Sequence, residues 1–391
     1  MAVAGVIALV CGCANATPQD RRADSVDPGA TASPVEARAD GIDRELSETL
    51  QEDVDRVREA QSLPGVSAAV VIPGEGVWTG TSGIADAHTK QRATPDTLFA
   101  IGSVTKPFVA ALLVKLAHEG ELDLDDRLSR WVPDFPNSDE ITVRQLLGHT
   151  SGTANFTDDR RFAAAQQRRP GASWSPAETL SFARTPRAKP GAEWAYSNTN
   201  YILAGLVLER AASSTVSSQL HRRLLVGPQF SRMVLQPEQR PRGPVATGHE
   251  DLDGDSKPDR LATRGYVPTR AFASAAWTAG GMLATAESVA RAADGIFRGD
   301  LLHAAARREM TSFKPTGRTE FEYGLGLGRV WLGDQLVWWH NGDYPGFHAD
   351  LAFVPERGVT VVALNNFQRN APAQDALIDT MISDVSVHIA G

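Results

Sequence analysis

Strand-forming patterns stand at both ends of the folded part of this chain, and helical patterns fill the middle. Apolar, β-branched runs cover Val66 to Ile72 and Gly76 to Ala85, joined by the turn Pro73-Gly74-Glu75-Gly76, and follow a helical period from about Ile42 to Ala60. Strand patterns return at Tyr323 to Leu332, Gln335 to His340, Phe347 to Val354 and Val359 to Asn365, with a closing helix from about Ala373 to Val387. Between them, roughly 122–291, helical stretches alternate with loops rich in Pro, Gly and Arg. A chain so arranged predicts an α/β fold of the α+β type. One antiparallel sheet is built from the N- and C-terminal segments and flanked by helices, a mostly helical region is inserted, and the cleft lies where the two meet. The 391 residues suffice for a large core, in one large or two interleaved domains.

The ends of the chain carry different signals. Ala2 to Val10 is an apolar run too short to cross a bilayer but suited to the core of a signal peptide, and it ends in Val10-Cys11-Gly12-Cys13. That ending resembles a bacterial lipobox in which Cys13 is lipidated; a plain cleaved signal peptide is the alternative, and both predict export to the cell envelope or beyond. Residues 14–40, rich in Asp, Arg, Ala, Pro and Ser, read as a flexible tether, and 41–390 as the folded domain. The only cysteines are Cys11 and Cys13, so the folded part has no cysteine chemistry. A net charge of −8 without a basic run argues against nucleic acid as a partner.

The chemistry begins at Ile101-Gly102-Ser103-Val104-Thr105-Lys106. Residues three apart share a helix face, so the amine of Lys106 can reach the hydroxyl of Ser103. Val104, Phe108, Leu112 and Leu116 recur with helical period, and Gly120 stands where a C-terminal cap belongs. Ser103 then lies at a helix N-terminus, which favours the negative charge of acyl transfer. Serine needs a neighbouring base to act as a nucleophile, and a desolvated lysine can serve. Of the six lysines only Lys106 follows a serine by three residues.

Two further elements match this pair. Tyr196-Ser197-Asn198 supplies a phenol able to relay protons and an amide able to hold both a lysine and a substrate carbonyl. His340-Asn341-Gly342-Asp343, at the end of a predicted strand, supplies a glycine where a substrate backbone can lie close, and the N–H of Asp343 would join that of Ser103 as an oxyanion hole. Gly324-Leu325-Gly326-Leu327-Gly328 enters a strand rather than opening a helix, so it reads as backbone packing and not as a phosphate cradle. Asp251 to Asp259 has the alternating oxygen donors of a calcium loop but lacks the glutamate that would complete one, and reads as a solvated acidic turn.

Together these elements resemble the penicillin-recognising serine hydrolases, closest to the D-alanyl-D-alanine carboxypeptidases, alongside class C β-lactamases and related esterases. The resemblance runs from about Leu63 to Asn366 and includes Gly120 to Asp125, Ile141 to Gly152, Ala279-Gly280-Gly281 and Tyr323 to Leu327. It implies a β-lactamase/transpeptidase-like fold, no metal or organic cofactor, and a monomer acting on a small peptide, lactam or ester. It makes Ser103 the acylated nucleophile, Lys106 its activator and Tyr196 the proton relay; Asn198, His340, Asn341, Gly342 and Asp343 line the substrate. Which of Lys106 and Tyr196 is the base is left open, because their titrations would be coupled. The carboxypeptidase pattern has threonine at the positions of Asn341 and Asp343. If the Asp343 side chain faces the cleft, it would repel a free C-terminal carboxylate and favour esters, amides or lactams. An idle peptidoglycan-binding protein is the alternative of another class, and the presence of Ser103, Lys106 and Tyr196 together argues against it.

Overall fold

The computed structural model describes residues 37–251, 259–261, 269–368 and 376–390. The expected signal peptide, Cys13, most of the tether and the acidic loop 252–258 lie outside the described residues.

The strands expected at the two ends do form one sheet. Its members are β1 (Arg38–Asp40), β2 (Gly65–Ile72), β3 (Gly76–Asp86), β4 (Lys314–Arg318), β5 (Phe321–Tyr323), β6 (Gly328–Leu332), β7 (Gln335–Tyr344), β8 (Phe347–Val354) and β9 (Val359–Asn365). They run in the order β1-β3-β2-β9-β8-β7-β6-β5-β4, every neighbouring pair antiparallel, and the short strand Gln91–Arg92 adds to β3. The two termini join where β9 pairs with β2, from Thr360↔Val71 to Asn365↔Val66. Arg38–Asp40, placed in the tether by composition, is an edge strand on β3.

Helices cover both faces of the sheet, so its central strands are buried throughout instead of alternating. On one face α1 (Arg44–Ala60) and the C-terminal α7 (Ala376–Ala390) pack on Val70, Ala352 and Val361. On the other, Ala69, Leu351 and Val362 meet the helical region. At the centre of that region lies α2 (Thr105–His118), with Thr105 to Val114 all buried. A helix apolar all round belongs inside a core, and α2 does. It ends as expected: Gly120 takes a positive φ of 80°, and the N–H groups of Gly120 and Glu121 bond to the carbonyls of Ala117 and Leu116.

Two boundaries differ from expectation. The predicted strand from Tyr323 to Leu332 is two strands, because Gly324 to Leu327 turn onto α2; a Cβ at Gly326 would lie 2.6 Å from that of Ala110. The expected strand end at His340 is interior, and β7 continues to Tyr344. Its neighbour β6 stops at the pair Gly328↔Trp339, so residues 340–344 run on beside the cleft with only β8 alongside.

Candidate active site

Ser103 lies in a 3-10 turn, Gly102–Val104, that runs directly into α2. Pro107 falls at the third position of that helix, where a backbone donor has no intrahelical partner to lose. The turn is pressed against β7. Gly102 has φ +48°, and a Cβ there would lie 2.8 Å from the carbonyl oxygen of Asp343. A Cβ at Gly342 would lie 2.1 Å from the Ile101 oxygen and 2.8 Å from the Ser103 nitrogen. Glycine at both positions is what lets the strand lie against the backbone of Ser103.

Lys106 is fully buried beneath Ser103. Its Nζ lies 2.7 Å from Ser103 Oγ, 2.9 Å from Asn198 Oδ1 and 2.6 Å from the Ala279 carbonyl oxygen. The two amide oxygens can only accept, so each takes an N–H, and a neutral amine would turn its lone pair to Ser103. Tyr196 Oη reaches the same Oγ at 2.7 Å. Asn198 opens α4 (Asn198–Ala212), and its amide nitrogen donates to Thr157 Oγ1 at 3.3 Å. The first two sequence elements, 93 residues apart, therefore converge on one oxygen.

The third element closes the site differently from expectation. His340 Nδ1 lies 2.6 Å from the Asn341 carbonyl oxygen, so that nitrogen carries the proton, and Nε2 accepts from the Tyr323 hydroxyl at 3.1 Å. Burial, reinforced by the charge of Lys106, holds His340 down at about 3, so the ring is neutral. Strand alternation puts Asn341 and Asp343 on the side opposite His340 and Gly342. Asp343 borders the cleft, yet its carboxylate accepts from Nδ1 of His348 at 2.8 Å, and His348 Nε2 donates to Asp350 at 2.9 Å. With a carboxylate at each nitrogen, His348 is an imidazolium; burial opposes the charge, but Asp350 and Asp343 carry it well above the usual value. The negative charge expected to repel a substrate carboxylate is thus paired.

Ser103, Tyr196, Asn198, His340, Asn341 and Asp343 border a cavity of about 600 Å³. Its walls include Phe156, Trp194, Phe272 and Phe321, none of which the sequence reading placed at the site. Two cations border it among the described residues: Arg187, tied to Glu193 at 3.1 Å, and Arg318, stacked on the Trp194 ring at 5.0 Å. They were missed because a lone aromatic or arginine, whether in a loop, a helix or a strand, has no partner at a fixed spacing to mark it as part of a site.

The family model described as Beta-lactamase matches residues 48–383. The chain belongs to the β-lactamase family. Its fold is the one shared by the penicillin-recognising serine hydrolases. Among solved structures of this fold, it is similar to the D-amino acid amidase of Ochrobactrum anthropi SV3 complexed with L-phenylalanine amide. The TM-score is 0.76 at 26% identity, over 88% of this chain and 99% of that one. Esterase EstB of Burkholderia gladioli is 34% identical over 136 residues, 33% of this chain and 33% of the esterase. The mitochondrial serine β-lactamase-like protein LACTB of Mus musculus is 28% identical over 152 residues, 37% of this chain. The match spans only 27% of the mouse protein's length.

Proposed function

We propose that this member of the β-lactamase family hydrolyses small amides and esters with an apolar acyl group and an uncharged leaving group, through an acyl-enzyme on Ser103. In acylation Ser103 Oγ bonds to the substrate carbonyl carbon, and its proton passes to the Lys106–Tyr196 pair, both members of which reach Oγ. The carbonyl oxygen, now negative, lies between the N–H groups of Ser103 and Asp343. Collapse breaks the bond to the leaving amine or alcohol, which takes a proton from Tyr196. Water then attacks the acyl-enzyme by the reverse path and releases the acid. Asn198 keeps Lys106 aimed. No step uses a metal or an organic cofactor.

The observation that carries the choice of substrate is the neutrality of His340. A carboxypeptidase must hold a free carboxylate beside the scissile bond, and a buried anion needs a cation or several donors. Along His340 to Asp343 the chain offers a neutral imidazole with both nitrogens engaged and a carboxylate already paired. Asn341 adds a neutral amide. The aromatic walls suit a bulky acyl group. The neighbour solved with an amino acid amide and the esterase relative agree with this class.

The test compares kcat/KM for a D-alanyl-D-alanine peptide, its C-terminal amide or methyl ester, and an aromatic amino acid amide, with Ser103→Ala as control. The masked and aromatic substrates should be preferred by about tenfold or more, the worth of one well-placed charge contact. Preference for the free acid overturns the substrate class, and turnover or fluorophosphonate labelling that survives Ser103→Ala overturns the acyl-enzyme. Export and lipidation at Cys13 we propose on sequence grounds alone; labelling with a fatty acid analogue, lost in Cys13→Ser, checks them.

A further inference from the structure

His149 is fully buried, takes no direct part in the chemistry proposed above, and sits with φ +57°, where residues other than glycine are uncommon. It follows the short helix Val143–Leu147, which a capping box of Thr142 and Gln145 closes at its N-terminus, and the loop 148–153 leaves its other end with the N–H groups of Gly148 and Thr150 bonded to the carbonyls of Arg144 and Gln145. That loop is bound to the segment carrying the second catalytic element. The His149 carbonyl accepts from Ala195 N–H at 2.9 Å, and the Thr150 carbonyl accepts from Gly191 N–H at 2.7 Å.

The protonation of the ring follows from its neighbours. Asn200 Oδ1 accepts from the hydroxyls of Ser151, at 2.5 Å, and Thr153, at 2.7 Å. The other end of the amide, an NH2 group, therefore faces His149 Nδ1 at 3.1 Å. The backbone N–H of Ser197 points at the same nitrogen at 3.2 Å. Two donors aimed at Nδ1 leave no room for a proton, so the ring hydrogen is on Nε2, which has no polar partner among the described residues. The ring lies against Tyr196, with centroids 4.4 Å apart and planes 37° from parallel, and Tyr323 and Tyr201 follow at 5.0 and 5.4 Å. The charged or titratable groups around it are Lys106 from α2, Tyr196 and Tyr201 beside and within α4, Tyr323 from β5 and the neutral His340 from β7. Burial, then the charge of Lys106, then His340 hold His149 well below the ordinary histidine range.

We infer that His149, locked by Asn200 as the neutral Nε2–H tautomer, is a positioning residue. It fixes Tyr196 and Asn198 together, by stacking on the phenol ring and by binding the one N–H that lies between them in sequence. Ser197 is that intervening residue. A ring without an acceptor at Nδ1 would support Tyr196 but release the Ser197 N–H; an acceptor without a ring would do the reverse. The placement of Tyr196 Oη at 2.7 Å from Ser103 and of Asn198 Oδ1 at 2.9 Å from Lys106 depends on both. The inference rests on the acyl-enzyme reading, because it assigns His149 its purpose through Tyr196.

Two measurements test it. The first is steady-state kinetics on an activated ester. In His149→Phe, kcat should fall about 10- to 100-fold with KM little changed, because misplacing a proton relay by a fraction of an ångström slows the chemistry. In His149→Asn, whose side-chain oxygen can accept from Ser197 and which tolerates a positive φ, kcat should recover by about fivefold over His149→Phe. Wild-type kcat in His149→Phe, or no recovery in His149→Asn, overturns the inference. The second holds even where the variants do not fold: ¹⁵N NMR of the unmodified protein should show Nδ1 of His149 unprotonated and hydrogen-bonded from pH 8 down to about 5, within the range where an ordinary histidine titrates. A proton at Nδ1 in that window overturns it. Turnover that survives Ser103→Ala would count against the acyl-enzyme and leave the NMR result standing.

Discussion

Two buried histidines eight residues apart, on neighbouring strands, carry opposite charge states. His340 on β7 belongs to the face that meets Ser103; a phenol donates to one nitrogen, a carbonyl takes the proton of the other, and the ring is neutral. His348 on β8 belongs to the face under α1 and α7; carboxylates flank both nitrogens, and the ring is a cation. Exposure does not separate them, since each is 4% accessible. The difference lies in the partners, and it teaches that in this sheet charge follows the facing groups: His340 meets a phenol and a carbonyl, while His348 is held between two carboxylates. Asp343 links the two. Its backbone lies against Gly102, beside Ser103, while its carboxylate is held by the cation on the other side.

The comparison is easiest to break at Lys106. If the reacting face works with one buried amine, Lys106→Met should lower kcat by about 10³-fold, the range lost with an essential proton acceptor, and abolish fluorophosphonate labelling of Ser103. A loss under tenfold would mean that another group activates the serine. On the opposite face the effect should fall on stability. His348→Leu leaves Asp350, 1% accessible, without its cation, and should cost about 3 kcal/mol in urea unfolding, as removing one partner of a buried ion pair does. An unchanged midpoint would show the Asp343–His348–Asp350 chain to be incidental.

The pH dependence separates the two histidines further, because they pull in opposite directions. His340 has its folded value lowered, so the stability it provides is complete above about 6.5 and is lost as pH falls toward 3, by about 1.4 kcal/mol per pH unit. His348 has its folded value raised, so its contribution is complete below about 6.5 and declines as pH rises from there. Urea midpoints measured across pH should therefore lose part of the acid slope in His340→Gln and part of the alkaline slope in His348→Gln. The same slope change in both variants would mean that the two rings do not differ in charge.

Much of this architecture was legible in advance. The strands at both termini are long apolar runs, and α2 is marked by period and by its glycine cap, signals that local sequence carries without tertiary help. Ser103, Lys106, Tyr196 and Asn198 were recognisable because chemistry demands those groups together, and the distances bring them together. The split of Tyr323 to Leu332 was not legible, because a glycine pressed on a distant helix looks locally like strand. Nor was the role of His149, since a lone histidine before Thr-Ser-Gly shows neither its left-handed backbone nor the amide that sets its tautomer.

What the sequence determined by itself was the order of elements and the choice of side chains that meet around Ser103, because both are marked by residue type and motif. The tertiary structure alone decided charge and direction. Asp343 was read as a possible repellent inside the cleft and proved to be the partner of His348, five residues away and on the next strand. His340, read as lining the substrate strand, borders the cavity, and its neutral state, with one nitrogen on Tyr323 and the other on a carbonyl, came from the fold. Whether a buried group is charged depends on what faces it across the sheet, and that pairing exists only once the strands are in register.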